Sequence, residues 1–349
     1  MRLTTSFLAA GVALATCAST ASAQYVDTHA IRETVRSVVR SAYQGRDRGP
    51  EQTEHVSNKY KVARDGRVSL QNISGDIVVT GGSGDEVTVE ATKRTRGDRG
   101  RLGEVRIDVS ATPARVDIRT EYPRMTNMNV SVDYTVTVPN GASVDIHSVS
   151  GTVKVTAVRG SVRMETISGG VTASDTPNVE LAKTVSGDVS LSGISTDGTL
   201  TAGTISGTIT AKGLKARRLE LSSVSGDVNL VDVTTSSVHA KSISGGFEYA
   251  GAIAKSGDYD VNTHSGSIRF SLSNPSGFYL NADSFSGSIR TDYPVTIGGN
   301  TPTPPTPPTP PGRMRGPRGV GQGVHGVNGD GSATLTLRTF SGDIVIAKR

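Results

Sequence analysis

From Ser143 onward the chain alternates apolar and polar residues and keeps returning to the dipeptide Ser-Gly. Pairs begin at Ser150, Ser168, Ser186, Ser206, Ser225, Ser244, Ser265 and Ser286, at successive spacings of 18, 18, 20, 19, 19, 21 and 21 residues. A fixed period of this length marks one supersecondary unit used repeatedly. The residue before Ser is Val149, Ile167, Val185, Ile205, Val224, Ile243, His264 or Phe285, and the residue before that always carries a hydroxyl, from Ser148 to Ser284. Two residues after Gly another apolar side chain follows, as in Val153, Val171, Val189, Ile209, Val228, Phe247, Ile268 and Ile289. Period-two alternation is the strand signature.

Each unit therefore reads as strand, Ser-Gly bend, strand and return turn. Gly at the bend permits positive φ or a close approach of two backbones. One unit is too short to bury both faces alone, but units stacked about 4.8 Å apart share a continuous core. The expected fold is all-β, a parallel β-solenoid of stacked repeats of about 19 residues, preceded by a short amphipathic helix. For that helix, His29 to Tyr43 places Ile31, Val35, Val38, Val39 and Ala42 on one face, with Arg32, Arg36 and Arg40 elsewhere.

Stacking in register also weighs on metal chemistry. The residues after each Gly form a ladder, Thr152, Gly170, Asp188, Thr208, Asp227, Gly246, Ser267 and Ser288. Asp188 and Asp227 then lie two layers apart, about 9.6 Å, too far to share a calcium ion bound at about 2.6 Å. They read as solvated turn residues.

The repeat has irregular edges. Divergent copies occur at Ser74-Gly75-Asp76 and Ser341-Gly342-Asp343, and alternating stretches with wider loops separate Gly75 from Ser150. The expected organisation is a signal peptide over 1–23, an N-terminal segment with the helix over 24–61, and the solenoid over 62–299. Within it, 62–141 is a divergent capping segment and 142–299 holds the regular repeats. A disordered Pro/Gly-rich insertion over 300–331 follows, because Pro-rich sequence favours extended PPII and Gly-rich sequence a flexible coil. A terminal strand over 332–349 completes the solenoid.

The beginning of the chain carries the compartment signal. Arg2 precedes a mostly apolar run, and Ala21-Ser22-Ala23 offers the small-x-small pattern cut by signal peptidase before Gln24. Cys17, the only cysteine, falls inside this segment, so the mature chain contains no thiol. A second reading takes Leu14-Ala15-Thr16-Cys17 as a lipobox, for which Thr before Cys is unusual. No stretch approaches the length and apolarity of a spanning helix. The expected location is exported, in the periplasm or at the cell surface.

Composition agrees with a repeated β-structure: Gly 41, Trp 0 and aromatics at 4%. Eight of those aromatics fall between Phe247 and Tyr293, which suggests larger side chains in the later layers. A net charge of +5, without aromatics interleaved among basic residues, argues against nucleic acid as a partner.

Against this frame the chemical motifs are weak. His29, His55, His147, His239, His264 and His325 fall at different repeat phases without zinc-ligand spacing. Asp188 and Asp227 match the separation of glycosidase carboxylates, but no surroundings are evident that would split their pKa values. Gly81-Gly82-Ser83-Gly84-Asp85 resembles a calcium-binding nonapeptide yet occurs once, and Arg96-Gly97-Asp98 is a cheap three-residue match to an integrin ligand. Catalytic, cofactor-binding and metal residues are therefore expected to be none. Two basic clusters stay open: Lys93, Arg94, Arg96, Arg99 and Arg101 in a loop, and Lys212, Lys215, Arg217 and Arg218 in a return turn. Each is either a solvated surface or a contact for anionic envelope polymers or lipid head groups.

The segments VSLQNISGDIVVTGGSGDEVTVEATKR, VDYTVTVPNGASVDIHSVSGTVKV, TVSGDVSL, VSGDVNL and TLRTFSGDIVIAKR closely resemble the bacterial "putative adhesin" family of toast-rack type. The likeness spans roughly Val62 to Arg349 and rests on the repeated pattern, not on any single Ser-Gly-Asp. It implies an extracytoplasmic β-solenoid with no established reaction. The resulting expectation is a non-catalytic envelope binding or scaffold protein that presents a rigid β-surface to a protein partner or an anionic glycan or lipid surface. The alternatives are an envelope-stress signalling accessory, which only the family's associations suggest, and a cryptic polysaccharide-active enzyme.

Overall fold

Alternation along Val144, Ile146 and Ser148, then along Val153 and Val155 after the bend, sends every second side chain inward from two successive strands. Repeated layer after layer, this builds two sheets packed back to back. A computed structural model describes residues 50–123, 129–273, 275–296 and 322–349. The expected signal peptide, the Cys17 anchor, the helix over His29–Tyr43 and the Pro-rich run lie outside the described residues.

Among the described residues each sheet has 13 strands. Strands preceding a Ser-Gly bend form one of them, here called the leading sheet; strands following a bend form the other, the trailing sheet. Through the middle of both, neighbours are parallel and in register. In the leading sheet Ser150 pairs with Ser168, Ser168 with Ser186, Ser186 with Ser206 and Ser206 with Ser225. In the trailing sheet Val153, Val171, Val189, Ile209 and Val228 form the matching column. These residues are fully or almost fully buried between the sheets, each burial contributing about 1.5–3 kcal/mol.

The glycines are required by contact. Gly169 has φ +136°, and a Cβ on it would lie 2.2 Å from the Gly151 carbonyl oxygen; Gly187 stands in the same relation to Gly169. Successive bends thus nest backbone on backbone, where no other residue fits.

Four features differ from the sequence expectation. The sheets are mixed, not wholly parallel: Gln52–Lys61 pairs antiparallel with Glu86–Thr95, and that strand antiparallel with Val130–Pro139. Gln52–Lys61, placed by sequence in an N-terminal segment outside the sheets, is an edge strand of the trailing sheet. Its polar sequence QTEHVSNKYK hid it, since an edge strand with both faces largely in water needs no buried stripe.

Second, the terminal repeat does not close the stack. Ala333–Ser341 lies between Asp258–Ser265 and Gly277–Ser286, so the bend order is Ser265, Ser341, Ser286. Third, Gln322–Gly329, expected within a disordered insertion, is a strand antiparallel to Gly277–Ser286. Glycine disfavours strands locally, but the unpaired edge of Gly277–Ser286 supplies a full row of hydrogen-bond partners and overrides that preference.

Fourth, the basic cluster from Lys93 is not one loop. Lys93 and Arg94 belong to the strand Glu86–Thr95, and Lys93 is buried with its Nζ 3.2 Å from Glu54 Oε1 and 3.2 Å from the Leu102 carbonyl. Arg99 and Arg101 lie in a 3-10 turn over Arg99–Glu104. Among the described residues this turn stands in place of longer helices, and no helix is long and apolar enough to cross a membrane.

The later layers do carry larger side chains inward. Tyr249, Tyr259, Phe270 and Phe278 are fully buried, with the Tyr249 and Phe270 rings stacked at 5.2 Å. Their polar ends are satisfied: Tyr249 donates to the Ala252 carbonyl at 2.6 Å and Tyr259 to the Thr235 carbonyl at 2.8 Å.

Candidate functional site

The inward parity set by Val144 and Ile146 carries through to Ser148 and leaves Val149 facing water. The same holds at each bend, so the two neighbours before Ser-Gly take the reverse of their usual places. The hydroxyl residues Ser148, Thr166, Thr184, Thr204, Ser223, Thr263, Ser284 and Thr339 are buried. The apolar residues Ile73, Val149, Ile167, Val185, Ile205, Val224, Ile243, Phe340 and Phe285 are all 40–54% exposed.

The cause lies in the bend itself. Nested glycines turn a carbonyl toward the edge of the core, and a buried carbonyl without a donor is costly. Thr184 Oγ1 donates to the Gly169 carbonyl at 2.9 Å, Thr204 to Gly187 at 3.1 Å, Thr263 to Gly245 at 3.3 Å and Thr339 to Gly266 at 3.1 Å. Each hydroxyl thereby ties one layer to its neighbour. Three copies depart from this: Ser223 Oγ donates to the Gly226 carbonyl of its own bend at 2.9 Å, and Ser148 Oγ and Ser242 Oγ are buried with no partner among the described residues.

The exposed residues form an apolar ladder along the outer face of the leading sheet, next to the bends. In stacking order it runs Ile73, Val149, Ile167, Val185, Ile205, Val224, Ile243, His264, Phe340 and Phe285. At about 4.8 Å per layer it is about 43 Å long. Its far end is aromatic: His264 stacks on Phe340 at 4.9 Å and Phe340 on Phe285 at 4.7 Å, with interplanar angles of 10° and 6°. These rings cover one another's faces. A contiguous exposed apolar row of this length is a mark of an interaction surface.

Beside the ladder, two residues earlier on each strand, runs a polar row of Gln71, His147, Glu165, Lys183, Gly203, Ser222, Lys241, Asn262, Arg338 and Asp283. His147 sits between two carboxylates, Asp145 at 3.2 Å and Glu165 at 3.3 Å. Asp283 receives His325 at 3.4 Å and Arg338 at 3.8 Å. Gly203 has no side chain to fill its place, and a groove of about 970 Å³ opens along the first layers between Ile73 and Ile205. Its floor is the aliphatic ladder, and Arg119, His147, Glu165 and Lys183 border it.

The residues weighed for chemistry are dispersed. Asp188 and Asp227 are held two layers apart, with Thr208 between them in the stack. Neither is a bare solvated turn residue: Asp188 Oδ1 accepts the Thr208 N–H at 2.8 Å, and Asp227 Oδ1 the Gly246 N–H at 2.7 Å. Asp76 does the same for Thr152 at 2.7 Å and Asp343 for Ser288 at 2.7 Å. The Ser288 backbone and hydroxyl hold the Asp343 carboxyl below the usual carboxylate range.

His55 contacts Thr92, His239 contacts Asp260, and Asp98 of Arg96-Gly97-Asp98 accepts from the Gly100 N–H. Among the described residues no group of three or more His, Cys, Asp or Glu is placed to hold a metal. In the second basic cluster only Gly213 and Leu214 make the turn, while Lys212, Lys215, Arg217 and Arg218 end or occupy strands. The sequence pointed to the Ser-Gly bend but not to the exposure of its preceding residue, although the parity of Val144 and Ile146 already carried that signal.

Solved structures from several bacteria resemble the chain. One is a "putative adhesin" from Bacteroides fragilis, with 13% identity and a TM-score of 0.46, covering 84% of this chain and 97% of that one. Another is a "putative cell adhesion protein" from Clostridium sporogenes, with 9% identity and a TM-score of 0.23, covering 85% and 100%. A third is a "putative lipid binding protein" from Parabacteroides distasonis, with 14% identity and a TM-score of 0.42, covering 65% and 92%. No curated protein matches. The Toastrack DUF4097 family profile matches residues 67–302, a span that holds the regular layers and both faces of the groove, and the chain belongs to that family.

Proposed function

We propose that the mature chain is an exported, non-catalytic binding or scaffold protein of the bacterial envelope. The middle layers of its two sheets, where neighbouring strands are parallel, act as a β-solenoid that repeats about every 19 residues. In this reading residues 1–23 are removed on export. The observation that carries the reading is the exposed apolar ladder on a rigid sheet face, bordered by a polar row. A stack tied by backbone ladders, nested glycines and cross-layer hydroxyls keeps such a surface in one shape, so little ordering entropy is lost on binding.

The dispersal of carboxylates and histidines supports a binding role over turnover. The test is capture from solubilised envelope fractions by the mature protein and by an Ile167→Asp, Val185→Asp variant. The reading expects a protein or glycan retained by the first and lost by the second. Equal capture by both would remove the ladder as the binding surface. Mass determination of the exported chain, expected to begin at Gln24, tests the localisation.

A further inference from the structure

The ladder can be assigned an occupant from its own charge pattern. We propose that two copies of this chain pair face to face across it, their stacking axes antiparallel, with Ile205 of one copy on Ile205 of the other. The inference rests on the reading of this face as a binding surface.

A two-fold axis parallel to the strands sets identical strand positions opposite each other and reverses the layer order. Apolar ladder then meets apolar ladder, and polar row meets polar row, as an isologous interface requires. The polar row decides the register. Centring the axis between Ile205 and Val224 would oppose Lys183 to Lys241. Like charges facing across an interface are unfavourable.

Centring the axis on Ile205 removes this conflict. Glu165 then faces Lys241 of the second copy, Lys183 faces Ser222, and Arg119, which pairs with Gln71 one layer further out, faces Asp283. The two-fold axis doubles each ion pair. Lys241 is exposed and makes no ion pair among the described residues, so this register supplies the acid its own chain lacks. Moving the axis to Val224 also avoids like charges and sets Glu165 opposite Arg338, but Arg338 already pairs with Asp283 of its own chain at 3.8 Å, and Lys241 is left facing Gly203 with no acid.

Gly203 explains why the centre falls at this layer. It leaves the polar row low beside Ile205, where both copies must approach most closely, and the Lys183 chain lies within 3.6 Å of the place a Cβ would take. Sheets packed face to face align within about 30°, which keeps the layers nearest the axis in contact. A footprint about 43 Å long and about two side chains wide gives roughly 1,000 Å² for both copies, at the lower bound for a specific interface. The pair is therefore reversible.

Sedimentation equilibrium of the mature full-length chain over a concentration series tests this. The expected result is a monomer–dimer equilibrium in the micromolar range. Glu165→Lys and Lys241→Glu should each weaken it about tenfold, and the two together should restore it to within about threefold of the starting value. Ile205→Arg, which sets two cations on the axis, should abolish the dimer, whereas Lys183→Gln should leave it in place. A chain that stays monomeric at every concentration, or a double reversal that fails to restore pairing, overturns the proposal. Envelope capture lost through Ile167→Asp, Val185→Asp in an always monomeric protein would overturn pairing while sparing the binding role. A dimer with no envelope ligand would do the converse.

Discussion

Asp188 accepts a hydrogen bond from the Thr208 backbone N–H at 2.8 Å, one layer along the stack. Asp76, Asp227 and Asp343 repeat the contact with Thr152, Gly246 and Ser288. The Asp of Ser-Gly-Asp is thus an acceptor for an amide that the bend leaves outside the regular sheet ladders, and it couples neighbouring layers.

Removing that acceptor without removing its shape separates hydrogen bonding from charge. Asp188→Ala should lower unfolding stability by about 0.5–1 kcal/mol, because the bond is solvent-exposed. Asp188→Asn, whose carbonyl still accepts, should lie close to the starting protein. Urea titration of both variants measures the difference; equal losses would show that charge, not acceptance, is the contribution.

The bend glycines differ in what surrounds them. Gly187→Ala must place a Cβ 2.2 Å from the Gly169 carbonyl, at φ +148°, so neighbouring layers have to separate. Gly213→Ala takes φ +57° with no atom within 4 Å and meets only the left-handed backbone cost of about 1–2 kcal/mol. Thermal unfolding should therefore show a much larger loss for Gly187→Ala.

Hydroxyls at one repeat position should not be equivalent. Thr184→Val leaves the Gly169 carbonyl without its donor and should cost about 1–3 kcal/mol. Ser242→Ala removes a buried oxygen with no partner among the described residues and should be neutral or stabilising. Denaturant midpoints of the two variants are expected to move in different directions or by very different amounts.

Alkali should weaken the fold through its buried phenols. Burial pushes Tyr134 up to about 12, and burial followed by the neighbouring Tyr259 pushes Tyr249 upward as well. An unfolded tyrosine ionises near about 10, so their stabilising contribution is complete below that pH and is lost as pH rises through the folded values. Denaturant midpoints should fall steadily above about pH 10, together with the appearance of tyrosinate absorbance. Tyr249→Phe should flatten this slope, after an initial loss from its bonds to the Val233 and Ala252 carbonyls.

Period, strand alternation and the Ser-Gly bend were legible from residues alone, because side-chain direction in a strand repeats every two positions and a nested bend admits only glycine. Alternation from Val144 through Ser148 even contained the exposure of Val149. Strand order was not legible. Placing Ala333–Ser341 between Asp258–Ser265 and Gly277–Ser286, and Gln322–Gly329 on the outer edge, depends on which backbone edges meet across long separations. Backbone hydrogen bonds carry no side-chain identity, so that choice belongs to the tertiary structure. The same holds for the Asp caps, the hydroxyl ties and the continuous ladder, each of which exists only once separate layers stand side by side.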